Sequence, residues 1–277
     1  MRKLKKLIFK FFILVDIFVP IFPKDSLYRF RFNSNKCEAL AVNKRTLGMQ
    51  YWCDLSDDKF ISRYSVYLGQ KKSGILIHHW PSFQFLSEIP LDDETNFCHK
   101  IIFGELFCIK KINGRGFELI SAEDCTVYAN FEEPWFDVFS WKNKTFLISG
   151  PTIFSIRKNK STEKKKFCLQ YVTYLEVARG KGEGSVCNYK DKLFFVFREF
   201  GARGSALNAK LVLMKSEDMS SWLPAEEFNA MTKILASKFD GVGFPTLRVI
   251  DGELILFFTG YWGKHLLASK TKKAWQF

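Results

Sequence analysis

The chain has few of the residues that build metal sites or disulfide frameworks. It contains only four histidines among 277 residues, and no pair of its seven cysteines is spaced as Cys-x-x-Cys. An odd number of cysteines without such spacing gives no support to a zinc site or to a disulfide scaffold. We therefore expect no metal and no other cofactor. Unpaired cysteines also favour a cytoplasmic or membrane-associated protein over a secreted one.

Signals for nucleotide or nucleic-acid binding are also missing. The glycine-rich residues 180–184, Gly-Lys-Gly-Glu-Gly, are not followed by the Lys-Ser/Thr and helix of a phosphate-binding loop, so a flexible connection is the better interpretation. Neither a basic helix nor an aromatic-basic module occurs, and we expect no nucleic-acid partner. The net charge of +13 instead suits anionic glycans or an anionic membrane surface.

The N-terminus lacks an apolar run long enough to cross a membrane. The basic residues 1–6 precede residues 7–22, which Lys10, Asp16 and Pro20 interrupt. A spanning helix needs about 20 apolar residues, and a secretory signal needs a clean apolar core with a small-residue cleavage site. We divide the chain into a basic-apolar segment, 1–24, and one domain, 25–277. The segment either makes peripheral membrane contact, acts as a poor signal anchor or packs on the domain.

Aromatic and apolar residues are abundant. Phenylalanine alone accounts for 30 residues, and aromatic residues make up 17% of the chain. Aromatic and β-branched side chains favour strands, and no long stretch shows sustained helical periodicity. This composition indicates a folded, core-rich, all-β protein.

One sequence unit recurs about five times along the chain, with a period of about 40–55 residues. Two predicted strands at residues 191–198 and 210–216 end in Ser216, and Trp222 follows six positions later. Residues 252–260 and 265–269 repeat this pattern with Ser269 and Trp275. Three further units begin with the predicted strands 145–149, 105–109 and 60–67.

This repeat predicts a five-bladed β-propeller. A small sheet cannot bury both faces alone, whereas sheets packed around an axis bury each other and leave only short edges. The last unit lacks an outer strand, so we expect an N-terminal strand near residues 27–33, where apolar residues alternate, to close the ring. A β-sandwich with accidental self-similarity is the alternative fold. We expect a monomer.

The units also predict where a site would lie. Aligned on their turns, they place Gln50-Tyr51, Phe97, Asp137, Ser185 and Pro245 at the starts of the inner strands. Side chains near these positions should face a pocket over the axis, and they include four carboxylates. Glycosidic cleavage requires one protonated acid and one carboxylate that acts as base or nucleophile. The carboxylates are Glu133, Asp137, Glu183 and Asp240.

Part of the chain, about residues 130–275, resembles known carbohydrate-active enzymes. Residues 182–195, beginning Gly-Glu-Gly-Ser, resemble the Glu-Gly-Pro segment of glycoside hydrolase family 43, and residues 216–222 are similar to the Ser-x-Asp-x-x-x-Trp hairpin of families 43 and 32. Residues 243–258 resemble the openings of their blades. The resemblance implies that Glu183 is the general acid and that Asp137 modulates its pKa. At the family's catalytic-base position stand Gln50-Tyr51, with Asp54 the nearest carboxylate.

These observations predict a carbohydrate-active protein, which is glycosidase-like if it is an enzyme and takes a glycan that can be acidic. The alternative is a non-hydrolytic protein that binds or transfers sugars in membrane-associated polysaccharide or lipid-linked glycan synthesis. The catalytic candidates are Glu183, Asp137 and Glu133. Candidate substrate contacts comprise three tryptophans that could stack on sugar rings, an arginine that could hold a carboxylate and two aspartates: Trp52, Trp135, Trp262, Arg198, Asp54 and Asp240.

Overall fold

The computed structural model describes residues 27–40, 49–56, 58–66, 72–91, 96–112, 116–160, 165–200 and 208–261. These residues form twenty strands, a 3-10 turn at Glu176–Ala178 and the helix α1 (Glu227–Lys238), which packs against β17. The strands, in chain order, are β1 (Leu27–Arg31), β2 (Lys36–Ala39), β3 (Met49–Ser56), β4 (Lys59–Val66), β5 (Lys72–His79), β6 (Gln84–Leu91), β7 (Asn96–Ile102), β8 (Glu105–Lys111), β9 (Phe117–Ser121), β10 (Val127–Phe131), β11 (Asp137–Trp141), β12 (Lys144–Ser149), β13 (Thr152–Lys158), β14 (Phe167–Tyr174), β15 (Gly184–Tyr189), β16 (Lys192–Glu199), β17 (Lys210–Ser216), β18 (Leu223–Pro224), β19 (Gly241–Ile250) and β20 (Glu253–Tyr261).

The strands form five antiparallel sheets of four strands each. Four sheets use consecutive strands, and we number them blade 1 (β3–β6), blade 2 (β7–β10), blade 3 (β11–β14) and blade 4 (β15–β18). The fifth, the closing blade, has the order β19-β20-β1-β2. Contacts run from β3 to β7, β11, β15, β19 and back to β3, so the first strands of the blades surround one axis. The chain is a five-bladed β-propeller.

The N-terminal strands close the ring, as the sequence predicts. All five residues of β1 pair with β20, and β2 adds the outermost strand. The predicted closing strand thus takes the third place in its blade, and β2 takes the outer place assigned to it. Residues 265–269, predicted as a strand of this blade, and the N-terminal segment 1–24 lie outside the described residues.

Each inner hairpin uses the same tight connection. Two residues separate the paired ends of the inner strand and its neighbour in all five blades. Two-residue turns with positive φ at both positions match the twist of antiparallel strands, and Asn, Asp and Gly tolerate that backbone best. In four of these turns both residues have positive φ: Phe103-Gly104, Lys142-Asn143, Lys190-Asp191 and Asp251-Gly252.

The Ser-x-Asp-x-x-x-Trp unit forms the turn into an outer strand. Ser216 Oγ accepts the N–H of Met219 at 3.0 Å, and Asp218 Oδ1 accepts the N–H of Ser221 at 2.8 Å. Trp222 donates to the Met219 carbonyl at 3.0 Å and is buried against Phe195, with ring centroids 5.7 Å apart. The role of this motif is therefore structural: it forms the turn that leads into the outer strand of the blade.

Ring closure should depend on the buried phenylalanine of β1. Phe30 is completely buried in the closing blade, so Phe30→Ala removes a large side chain and leaves a cavity. We expect a loss of about 3–5 kcal/mol in the free energy of unfolding, measured by urea denaturation. Phe32→Ala, which changes a partly exposed ring two residues later, is the control and should cost clearly less. Equal costs for both variants would contradict this view of the closure.

Candidate active site

Side chains from all five inner strands meet on the propeller axis. Side chains alternate between the two faces of a strand, so residues two and four positions before the end of each inner strand share the face toward the axis. The layer two positions before the end contains Asp54, Lys100, Phe139, Cys187 and Arg248. The layer four positions before the end contains Cys98, Asp137, Ser185 and Thr246 from the last four inner strands in chain order.

Arg248 of the closing blade bridges two aspartates from other blades. Its guanidinium donates to Asp137 of blade 3, with Nη2 2.9 Å from Oδ1 and Nη1 3.2 Å from Oδ2. It also donates to Asp54 of blade 1 through Nε, at 3.0 Å, and through Nη2. The pairing with Asp137 uses both carboxylate oxygens, and such a bidentate arrangement is the strongest that an arginine makes with a carboxylate.

Lys100 completes this axial charge cluster from blade 2. Its Nζ lies 3.5 Å from Asp137 Oδ1 and donates to the Cys53 carbonyl and to Thr246 Oγ1, each at 3.0 Å. Lys100 and Asp137 are buried to within 2% of complete burial. Two carboxylates face two cations, so the charges of the cluster balance. Buried charges persist when they are paired and hydrogen-bonded in this way.

The protonation states follow from these contacts. Burial alone would raise the pKa of Asp137, but the charges of Arg248 and Lys100, with hydrogen bonds from Arg248 and Ser185, lower it to about 2. Burial likewise opposes the charged form of Lys100, but Asp137 and Asp54 raise its pKa. Asp137 is therefore ionised at neutral pH, and a carboxylate held in this way cannot serve as a proton donor.

The protein should lose stability in acid through Asp137. Its pKa is about 2 in the folded protein against 3.8 for an ordinary aspartate, so its contribution is present above about pH 4 and is lost as pH falls towards 2. The expected loss is on the order of 2 kcal/mol. Urea unfolding between pH 7 and 2.5 measures the loss, and the assigned carboxyl carbon of Asp137 in NMR should begin to titrate only below pH 3. A midpoint near 3.8 would contradict the assignment.

A second cluster lies at the mouth, the surface at which the inner strands begin. Glu183 directly precedes β15 and stands opposite Arg198 of β16, where the backbone N–H of Arg198 donates to the Glu183 carbonyl at 2.8 Å. The Arg198 guanidinium Nη1 lies 3.2 Å from both carboxylate oxygens of Glu183. The Glu183 side chain is 12% exposed and that of Arg198 5% exposed. The pair therefore reaches solvent through the carboxylate.

Aromatic rings hold Arg198 in place. Its guanidinium carbon lies 4.7 Å from the ring centroid of Phe200 and 5.5 Å from that of Phe244. Gly243 passes so close that a Cβ there would lie 3.1 Å from the guanidinium carbon. Cation–π contacts on both rings and the close backbone leave the arginine little freedom to move. The position of the Glu183 carboxylate is therefore fixed by its surroundings.

Glu133 lies in the connection between β10 and β11, near enough to Glu183 for their charges to interact. Partial burial raises its pKa, and the negative charges of Glu132 and Glu183 raise it further. Its side chain crosses Gly150, where a Cβ would come within 2.6 Å of the Glu133 Cγ. The mouth thus contains one carboxyl group that favours its proton and a second that is paired with an arginine.

Other predicted site residues are dispersed. Trp135 is 1% exposed and belongs to the core, so it offers no surface on which a sugar could stack. Asp54 and Asp137 lie close together, but inside the axial charge cluster and not at the mouth. Asp240 is partly buried, and its backbone carbonyl accepts the N–H of Asn208 at 2.7 Å. Trp262, like the side chain of Trp52, lies outside the described part of the structure.

Comparisons with known proteins give structural similarity without sequence similarity. No protein-family model and no curated protein sequence matches the chain. A solved structure of YjhT is 11% identical, covers 79% of each chain and has a TM-score of 0.44. The glycoside hydrolase family 43 protein BlXynB from Bacillus licheniformis is 8% identical over 70% of this chain and 48% of its own, with a TM-score of 0.39. The family 32 β-fructofuranosidase from Bombyx mori is 13% identical over 80% and 46%, with a TM-score of 0.28.

The chain resembles these proteins in fold. They include members of families 43 and 32, the two families that the sequence resembles. Similarity at these TM-scores transfers neither residue roles nor activity, so the geometry of the two clusters must support any function. Among the described residues, no group of His, Cys, Asp or Glu could hold a metal ion, and no helix has the length and apolar character needed to span a bilayer.

Lys100 and Thr246 are among the axial residues that the sequence analysis missed. The inner strands β3, β7 and β19 each carry a register shift in which the inner strand has one more residue than its partner. Such a bulge moves the following side chains to the opposite face. The predicted positions Phe97 and Pro245 are consequently one residue away from Cys98 and Thr246, which face the axis. Counting back from the two-residue turns would have found the correct positions.

Proposed function

We propose that this chain acts on a glycan by glycoside hydrolase-type acid/base chemistry at the mouth, where blades 3 and 4 meet. Glu133 and Glu183 are the carboxyl pair that carries the reaction. One observation supports this proposal most directly: the pKa of Glu133 is raised by burial and by its acidic neighbours, while Glu183 accepts two hydrogen bonds from Arg198. Glycoside cleavage needs one carboxyl group that donates a proton and a second carboxylate that acts as base or nucleophile.

The surroundings favour Glu133 as the proton donor and Glu183 as the ionised partner. A donor must carry a proton at working pH, which the raised pKa of Glu133 promotes. Arg198 holds the Glu183 side chain through hydrogen bonds to both of its oxygens, which suits a carboxylate that acts without donating a proton. The resemblance to family 43 assigns the donor role to Glu183 instead, and the pH dependence of the two single variants separates these assignments. In this proposal Asp137 has a positioning role: it anchors Ser185 and β15, which begins directly after Glu183.

The substrate class follows from charge and from the chemistry of the carboxyl pair. The net charge of +13 favours a glycan that carries acidic groups. Peripheral membrane contact through residues 1–24, a monomeric state and the compartment stay predictions.

The test is a turnover screen with the purified chain. The substrates are 4-nitrophenyl arabinofuranoside, xyloside, galactoside and glucuronide, together with the corresponding polysaccharides, and the measurement is released nitrophenol or reducing sugar. We expect turnover with a bell-shaped dependence on pH, because one group must be protonated and the other ionised. Turnover that persists when Glu133 and Glu183 are both changed to Gln would contradict the proposal. Glycan binding without turnover in the wild-type chain would support the alternative of a sugar-binding or sugar-transferring protein.

Arg198→Lys should reduce turnover while the fold survives. Lysine keeps the positive charge, but it lacks the planar guanidinium that packs against Phe200 and Phe244 and sets the position of Nη1 beside Glu183. We expect kcat to fall by about 10–100-fold, as when a positioning contact is lost, with little change in the melting temperature. Lys181→Ala, which removes a more exposed pair with Glu199, is the control and should leave kcat unchanged. An unchanged kcat in Arg198→Lys would show that Glu183 needs no such support.

A further inference from the structure

A cleft opens on the turn face, the surface formed by the inner hairpin turns at the opposite end of the inner strands from the mouth. Its volume is about 400 Å³, and its lining comes from blades 3 and 4: Ser140, Trp141, Lys142, Asn143, Asn188 and Asp191. Glu183 and Asn188 lie at opposite ends of β15, about 16 Å apart at the usual rise per strand residue. This turn-face cleft is therefore separate from the site of the proposed chemistry.

The lining combines an aromatic ring with hydrogen-bond donors and hydrogen-bond acceptors. Trp141 is partly exposed, and the Lys142 ammonium lies 4.1 Å from its ring centroid. Asn143 and Asp191 are exposed at the rim. The cleft thus offers an indole surface, a cationic donor, amide groups and a carboxylate acceptor within a volume typical of small-molecule sites.

Asn188 carries the most specific signal in the cleft. Its Oδ1 atom is buried and has no hydrogen-bond partner among the described residues. A buried acceptor without a donor is destabilising, so a protein gains from retaining it where a ligand supplies the missing donor. The donor must come from a molecule with hydroxyl or N–H groups small enough to enter the cleft.

We propose that the turn-face cleft is a second glycan-binding site, which holds one sugar ring of a chain whose cleavage site lies elsewhere. On binding, the Asn188 side chain turns toward the cleft, so that its Oδ1 accepts a hydrogen bond from one sugar hydroxyl, and a second hydroxyl donates to the Asp191 carboxylate. The ring packs on Trp141, where it takes the place of the exposed Lys142 side chain, whose contact with the indole is weak in water. Lys142 then donates to a ring or hydroxyl oxygen. Such a site would keep a long glycan attached while the mouth acts on another segment.

The experiment measures binding to the full chain with the mouth inactivated. All proteins carry Glu133→Gln and Glu183→Gln, and the probes are linear tetrasaccharides of xylose, arabinose, galactose and galacturonic acid. Isothermal titration calorimetry gives the affinities for the parent and for three variants. Trp141→Ala removes the packing surface, Asn188→Leu removes the orphan acceptor, and Tyr171→Ala changes an aromatic side chain that is 61% exposed on the outer strand β14 as a control.

We expect at least one tetrasaccharide to bind, and both cleft variants to weaken that binding by about tenfold or more while Tyr171→Ala leaves it unchanged. Asn188→Leu should not lower the melting temperature, because the amide oxygen that it removes has no partner to lose. If Asn188 had only a structural role, its replacement would lower the melting temperature and leave binding unchanged. Binding to none of the four probes, or affinity unaffected by Trp141→Ala, would overturn the proposal. Because turnover at the mouth is measured separately in the unmodified background, the failure of one site is distinguishable from the failure of the other.

Discussion

Replacing Arg248 by methionine is expected to lower the free energy of unfolding by about 3–5 kcal/mol. Arg248 bridges Asp54 and Asp137 in the centre of the molecule. Removing the guanidinium leaves two carboxylates without their main partner, and both side chains are at most 3% exposed. Lys100, which is 3.5 Å from Asp137, can balance only one of them. The same change also removes the side-chain bonds that Arg248 of the closing blade makes to blades 1 and 3.

Urea unfolding of wild type and Arg248→Met measures this cost. Arg179→Met serves as the control, because Arg179 pairs with Glu176 on the surface, where both side chains are more than 70% exposed, and exposed pairs contribute little. A third variant combines Arg248→Met with Asp54→Asn and Asp137→Asn and should recover part of the loss, since it removes the uncompensated charges. Arg248→Met with a wild-type unfolding midpoint would mean that the axial charge cluster contributes nothing to holding the ring together.

Glu183→Gln and Glu133→Gln should each reduce kcat by at least about 10³-fold on any substrate that the turnover screen identifies. Glutamine keeps the shape of glutamate, but it can neither give up a proton nor carry the negative charge. The Glu183→Gln side chain still offers its carbonyl oxygen to Arg198, so we expect the fold to be retained. Burial and two acidic neighbours disfavour the ionised form of Glu133. Glu133→Gln removes that group, so the melting temperature of the variant should stay the same or rise.

Glu132→Gln is the matched control for both variants. Glu132 is the exposed neighbour of Glu133, and its replacement should change kcat by no more than a few fold. The pH profile separates the roles of the pair: loss of the donor should abolish the limb at high pH, and loss of the ionised partner should abolish the limb at low pH. Near-wild-type kcat in either glutamine variant would remove that residue from the mechanism.

The sequence was a reliable guide to the blades because each blade is a local structure. Inner hairpins, the Ser216-to-Trp222 turn and the alternation near residue 30 involve residues close together in the chain, whose turn chemistry and apolar pattern can be read directly. Even the closing strand could be predicted. The repeat left one strand missing from the last blade, and the alternating residues 27–33 formed a predicted strand that belonged to no other blade. The outer strand β2 was missed, because two of its four residues, Lys36 and Glu38, are charged and none of the four is buried.

The candidate sites depended on details that a repeat pattern does not contain. Glu183 and Glu133 were recognised as candidates, but their pairing with Arg198 and the effect of Glu132 on the pKa of Glu133 come from side chains brought together across two blades. Asp137 was placed at the correct inner-strand start, yet its role as a partner of Arg248 and Lys100 could not be inferred. Those partners lie 111 residues later and 37 residues earlier in the chain.

The order of apolar and turn residues alone specified five small sheets and their closure, because strand alternation and tight turns act over a few neighbouring residues. Which side chains meet on the axis was settled by the folded ring, since a one-residue bulge in three inner strands exchanges the faces that their side chains occupy. Charges from other blades then set the charge state of Asp137 against the effect of burial: the same aspartate that would titrate near 3.8 in water titrates near 2 beside Arg248 and Lys100.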